Sequence, residues 1–159
     1  YMAPEQVMGI RGDPASDIFA LGSLLYFFAT NLRPFGDPQR LSGLKRRLWW
    51  DPKPPRALNR AVPPWLQEII LRCLEVEPAK RHPSAAQLAL DLRNPDAMAL
   101  TARAERMARD PWTARIRRRF HPDHQPRLRR ERPAAPQAEA PIVAVAVDLD
   151  NTSAELAEA

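Results

Sequence analysis

From position 15 to 30 the chain is apolar at nearly every residue, interrupted only by Ser16, Asp17, Ser23 and Thr30. Asp13 as N-cap and Pro14 at the first helical position start a helix there. A helix this apolar on all faces is expected to be buried on most sides, as the central post of a helical domain. The residues before it, with Pro4, Gly9 and Gly12, read as a loop holding one short helical turn over 5–8. After a turn at 31–37, Leu41, Leu44 and Leu48 set against Arg40, Lys45, Arg46 and Arg47 predict an amphipathic helix over 40–50, stopped by Pro52, Pro54 and Pro55. Pro63 and Pro64 then open a helix whose Leu66, Ile69, Ile70, Cys73 and Leu74 fall on one stripe. Ser84 begins another, carrying Leu88 and Leu92 and ending near Asn94 and Pro95. A weaker Ala- and Arg-rich helix is expected over 95–109.

The period changes at the far end. Residues 142–147 read Ile-Val-Ala-Val-Ala-Val, an apolar, mostly β-branched run suited to a strand buried on both faces. A turn at 148–151 follows, then a helix start capped by Thr152 or Ser153, with Glu155 near its positive end. Strand, polar turn and helix start form the opening of a βαβ unit. The expected organisation is therefore mainly α over 1–94, a basic Pro- and Arg-rich linker, partly helical and otherwise disordered, over 95–140, and the start of an α/β, Rossmann-like domain over 141–159.

Charge refines this picture. The net charge is +5, yet residues 103–132 alone hold eleven arginines against four acids, so the remainder is slightly acidic. Clustered arginines release counterions when they neutralise phosphates, which makes nucleic acid or anionic lipid a possible partner of the linker. Only Trp112 and Phe120 there are suited to stacking on bases, and a solvated tether is the plainer reading. The single cysteine, Cys73, lies within an apolar helical stripe and reads as a buried, inert thiol. No run approaches the ~18 apolar residues of a membrane span, and no basic-then-apolar leader pattern opens the chain. A cytoplasmic location is the expectation, with any segment preceding Tyr1 outside the sequence.

Tyr1-Met2-Ala3-Pro4-Glu5 resembles the end of the activation segment of Ser/Thr protein kinases, where an Ala-Pro-Glu triplet closes the substrate-receiving loop. In order after it come Ser16-Asp17-Ile18-Phe19-Ala20-Leu21-Gly22, Leu25-Tyr26, Thr30, Pro34-Phe35-Gly36, Pro78 through Arg81, Pro83 and Ser84. This succession, over residues 1–93, resembles the kinase large lobe from that loop to its last helix, in the Ala-, Leu- and Arg-rich style of bacterial members. The resemblance implies that Glu5 and Arg81 pair to tie the loop to the lobe. A carboxylate and a guanidinium meet bidentately, and neither is tolerated alone once desolvated. It implies that Tyr1 and Met2 floor the pocket for the substrate residue after the acceptor. The family counterpart of Asp17 braces the catalytic loop, so the resemblance implies a buried carboxylate that accepts backbone N–H bonds but, with that loop absent from this sequence, lacks its usual partner here. Gly22 is expected where another element packs closely on the helix. The plainer alternatives are solvated charges at Glu5 and Arg81, an exposed capping acid at Asp17 and simple helix loosening at Gly22. Trp49 and Trp50, beside 45–47, suit either a docking face or packing under a surface helix.

Phosphoryl transfer needs a phosphate-covering glycine loop, a nucleotide-binding lysine, a catalytic Asp, and Asn and Asp on magnesium. The sequence has no His-Arg-Asp, Asp-Phe-Gly or Gly-x-Gly-x-x-Gly, and all five glycines precede Leu44. The chain alone is expected to be inactive. A longer parent is expected to use ATP and Mg on protein substrates, with a non-catalytic pseudokinase or scaffold as the alternative. Residues 142–159 resemble the start of a universal stress protein domain. That resemblance implies a place near adenosine for Asp148, at the strand's end. Other doubly wound domains open similarly, including phosphatases with an Asp-x-Asp turn such as Asp148-Leu149-Asp150.

Overall fold

A computed structural model describes residues 1–37 and 41–109, with Thr113 and Ile116 beyond them. All of these belong to the first of the chain's two units, residues 1–129. The strand expected at 142–147, Asp148 and most of the basic linker lie outside the described residues. Five α-helices are present among them: α1 (Pro4–Val7), α2 (Pro14–Thr30), α3 (Leu41–Leu44), α4 (Pro64–Cys73) and α5 (Ala85–Arg93). Single 3-10 turns stand at Lys45–Leu48, Pro55–Ala57, Pro78–Lys80 and Pro95–Ala97. The described part is helical, with no strand.

Local chemistry sets the helix ends. Asp13 Oδ1 accepts from the Ala15 amide at 2.9 Å and Ser84 Oγ from the Gln87 amide at 3.1 Å, each satisfying an N-terminal donor of its helix. Asn31 ends α2 in the left-handed region at φ 55°, a conformation a short polar side chain tolerates.

The core is built between α2 and α4. Ala3, Phe19, Tyr26, Ile70 and Leu74 form one buried cluster; Ile18, Ile69, Cys73 and Leu88 form another that brings in α5. Contrary to the sequence expectation, the enclosed helix is α4. Gln67, Glu68, Ile69, Ile70, Leu71 and Cys73 are all buried along it. α2 covers one side of α4, and its own opposite stripe is open. Asp17, Leu21, Leu24 and Phe28, spaced four, three and four residues apart, are exposed, Phe28 at 76%. Nothing in the described residues covers that face.

Two other expectations change. The helix expected over 40–50 is α for only one turn before tightening to 3-10 at Lys45–Leu48. Residues three apart eclipse in a 3-10 turn, so Arg47 follows Leu44 inward rather than joining the polar face. It is buried, at 4% exposure. The helix expected over 95–109 is instead one 3-10 turn and an irregular strap. Two polar side chains of α4 compete for its backbone. Gln67 Nε2 donates to the carbonyls of Arg103, Ala104 and Arg106 at 2.8, 3.0 and 2.8 Å. Glu68 accepts from the Thr101 amide at 3.1 Å and its hydroxyl at 2.8 Å. These side chains hold the strap's backbone in place of an i→i−4 ladder, and Ala104 is buried beneath them.

Candidate functional site

Pro4 starts α1, and with the turn that follows it delivers Glu5 to the interior. There Arg81, at the end of the Pro78–Lys80 turn, meets it. Arg81 Nη1 and Nη2 donate to Glu5 Oε1 and Oε2 at 2.7 and 2.8 Å, and both residues are buried. The other three N–H bonds of the guanidinium go to the carbonyls of Ala15 (2.8 Å), Glu75 (2.8 Å) and Val76 (3.1 Å). All five donors are thus used, and the Phe19 ring lies 5.0 Å from the guanidinium carbon. Ser16 Oγ donates to Glu5 Oε1 at 2.7 Å. Burial on its own would raise the Glu5 carboxyl. The Arg81 hydrogen bonds and charge, with Ser16, outweigh that and hold it below its ordinary value.

This clasp locks Ala3, Pro4 and Glu5 onto the start of α2 and leaves Tyr1 and Met2 exposed at the mouth of a cavity of about 180 Å³. Pro34, Phe35, Leu44 and Arg47 line it together with the polar side chains of Ser23, Arg33 and Asp37. Gly22 is buried where α2 crosses α4: a Cβ there would stand 2.4 Å from the Cys73 Cβ. Asp17 corrects the expectation of a buried acid held by backbone amides. It is exposed, with no hydrogen-bond partner among the described residues, because it sits on the uncovered face of α2. Trp49 and Trp50 are half-buried, and Trp50 has the Arg46 and Arg109 guanidinia 5.3 and 5.7 Å from its ring.

Sequence reasoning missed Ser16 as a Glu5 partner, Arg47 as a buried cation and Gln67 and Glu68 as anchors. Gln67 and Glu68 carry at most a weak signal, their place beside Leu66, Ile69 and Ile70 in the same helix.

Cys73, His82 and Asp91 line up as a nucleophile, base and acid would. Cys73 Sγ is 3.4 Å from His82 Nδ1, and His82 Nε2 is 3.3 Å from Asp91 Oδ2, out of hydrogen-bond alignment. Their environment rules out that chemistry. Burial pushes the thiol up to about 12, and burial, with the Arg72 charge behind it, pushes the imidazole down to about 4 against the pull of Asp91. At neutral pH neither a thiolate nor a usefully basic imidazole is present. The cluster acts on stability instead. The folded imidazole titrates near 4 and an unfolded one near 6.5, so the unfolded state takes up the proton first as pH falls. Stability is complete above pH 6.5 and is expected to decline toward pH 4, by on the order of 3 kcal/mol. Urea unfolding at half-unit pH steps measures this, and His82→Leu should flatten the slope in that window. A wild-type profile level from pH 7 to 4.5 would contradict it.

Among the described residues no three His, Cys, Asp or Glu side chains gather to hold a metal ion. No glycine loop is present to cradle a triphosphate. No step of phosphoryl transfer is assigned to the described residues.

No family model matches the chain. Curated relatives do. The tyrosine-protein kinase MasK of Myxococcus xanthus is 42% identical over 89 residues, 56% of this chain and 14% of its own length. A probable serine/threonine-protein kinase of Clostridium acetobutylicum is 34% identical over 94 residues, covering 59% and 14%. The serine/threonine-protein kinase PknB of Mycolicibacterium smegmatis is 32% identical over 112 residues, covering 67% and 18%. The chain is thus similar to bacterial protein kinases while spanning about one-sixth of their length. No helix among the described residues is long and apolar enough to cross a membrane.

Proposed function

We propose that the chain is the C-terminal part of the catalytic large lobe of an ATP-dependent protein serine/threonine kinase, within a longer protein that continues into a universal stress protein-like domain at 141–159. The observation that carries this reading is the buried Glu5–Arg81 clasp, made by two residues of the ordered motif set and 76 positions apart. The similarity to bacterial kinases supports it, and so does the open stripe of α2. Asp17 lies on that stripe, and a catalytic loop contributed by residues preceding Tyr1 would cover the face. In this reading the chain positions rather than reacts: it holds the end of the substrate-receiving loop on a rigid helical lobe and shapes the cavity at Tyr1 and Met2. ATP, Mg and the protein substrate belong to the longer protein, acting in the cytoplasm, with Asp148 near a nucleotide in the second domain. The basic residues beyond Arg109 serve as a tether.

The test is phosphate transfer from labelled Mg-ATP, comparing the 159-residue chain with a protein extended through the coding residues before Tyr1. The extended protein is expected to label a protein substrate on Ser or Thr and to lose activity with EDTA, while the shorter chain stays silent. An extended protein with no transfer ends the enzyme reading. Label on tyrosine alone moves the acceptor to the class named for MasK.

A further inference from the structure

Among the described residues two arginines are buried, and their circumstances are opposite. Arg81 spends all five N–H bonds on a carboxylate and three carbonyls. Arg47, at 4% exposure, has one hydrogen bond, from Nη1 to the Met2 carbonyl; its Nε is enclosed and has no acceptor. It has no ion pair. The acid in the cavity wall, Asp37, pairs with Arg33. The Phe35 ring, 5.5 Å from the guanidinium carbon, compensates only in part. A desolvated guanidinium without a counter-charge is costly, and burial duly depresses its proton affinity.

We propose that the cavity beside Tyr1 and Met2 is an anion subsite that takes the carboxylate or phosphate of one peptide side chain, with Arg47 as its specificity-determining residue. The cavity's size suits this. About 180 Å³ is below the roughly 300–1,000 Å³ of small-molecule sites and fits a single side chain. Pro34, Phe35, Leu44 and Met2 give the walls an apolar character, and an ion pair is stronger in such surroundings than in water. The guanidinium fork matches the two oxygens of either anion. The inference rests on the reading that this cavity receives a substrate residue, and adds that the residue is acidic or phosphorylated.

Blocked tetrapeptides Ala-Ser-Xaa-Ala, with Glu, phosphoserine or Gln at Xaa, are titrated into the 159-residue chain, with inorganic phosphate as a separate arm. The side-chain Nε–Hε resonance of Arg47 and the melting temperature are followed. The Glu and phosphoserine peptides are expected to move that resonance and raise the Tm, binding roughly tenfold or more tighter than the Gln peptide. The phosphoserine and Glu arms tell which anion is preferred. Arg47→Met should abolish the discrimination and leave the unliganded Tm unchanged or higher, since it removes an uncompensated buried cation. Should that variant fail to fold, the wild-type comparison decides alone. Equal binding of the Glu and Gln peptides, an unmoved Arg47 resonance, or an effect of phosphate without any peptide preference overturns the subsite. The two readings separate in the extended protein. Transfer to Glu and Gln peptides at equal rates sinks the subsite and spares the kinase, whereas anion binding at Arg47 without any transfer does the reverse.

Discussion

Glu5→Ala is expected to cost the chain roughly 3–5 kcal/mol, because it strands a buried guanidinium whose bidentate partner has gone. That is a large share of the ~5–15 kcal/mol that holds an ordinary domain folded, so the variant should be largely unfolded at 37 °C. Arg81→Met should cost a similar amount, since Glu5 would keep only Ser16 as a side-chain partner. Arg81→Lys should not rescue it, because one ammonium cannot reproduce five donors arranged in a fixed plane. The double variant Glu5→Leu with Arg81→Met tests whether the loss comes from the orphaned charge. It should be more stable than either single variant, yet less stable than wild type, because the carbonyls of Ala15, Glu75 and Val76 lose their donor too. Urea unfolding of wild type, Glu5→Leu, Arg81→Met and the double variant closes the cycle and gives the coupling energy, expected above about 2 kcal/mol for contacting buried charges. Additive single effects of under ~1 kcal/mol each would show that the clasp is not what ties the loop to the helices.

What could be read beforehand divides along physical lines. α2, α4 and α5 were legible because their starts depend on Asp13, Pro14, Pro64 and Ser84, local signals that act within a few residues. The Glu5–Arg81 pairing was legible only through the order of motifs, since nothing local tells a carboxylate which guanidinium lies 76 positions away. Burial of α2 was misjudged because an apolar face states a preference for cover without providing it. Leu21, Leu24 and Phe28 are apolar and exposed all the same. Arg47 was unreadable for another reason: one tightened turn changes the phase of every side chain after it, and no residue in the Lys-Arg-Arg run announces that change. The strap over 98–109 depends on Gln67 and Glu68, whose targets are backbone groups and so leave no mark in the sequence of the strap.

Gly22→Ala is expected to destabilise the chain by about 3 kcal/mol, the upper part of the range for overpacking a close-packed core. The gain in helix propensity from replacing glycine, at most ~1 kcal/mol, acts the other way and is outweighed. The added Cβ would meet Cys73 at 2.4 Å from its Cβ and 3.4 Å from its carbonyl carbon. Neither atom is the free end of a flexible side chain, so the two helices themselves would have to part. Rescue should then follow geometry. Cys73→Gly removes the opposing Cβ and is expected to restore part of the lost Tm in the Gly22→Ala background. Cys73→Ala keeps that Cβ and should restore none. Equal rescue by both would mean that the sulfur, rather than the approach of α2 to α4, sets the fit. The separation of these helices reaches beyond the core. Phe19, one turn before Gly22, lies under Arg81 and stacks on Phe35 at 5.8 Å, and Phe35 lies beside Arg47. One crossing without room for a methyl group therefore places both the compensated arginine and the uncompensated one.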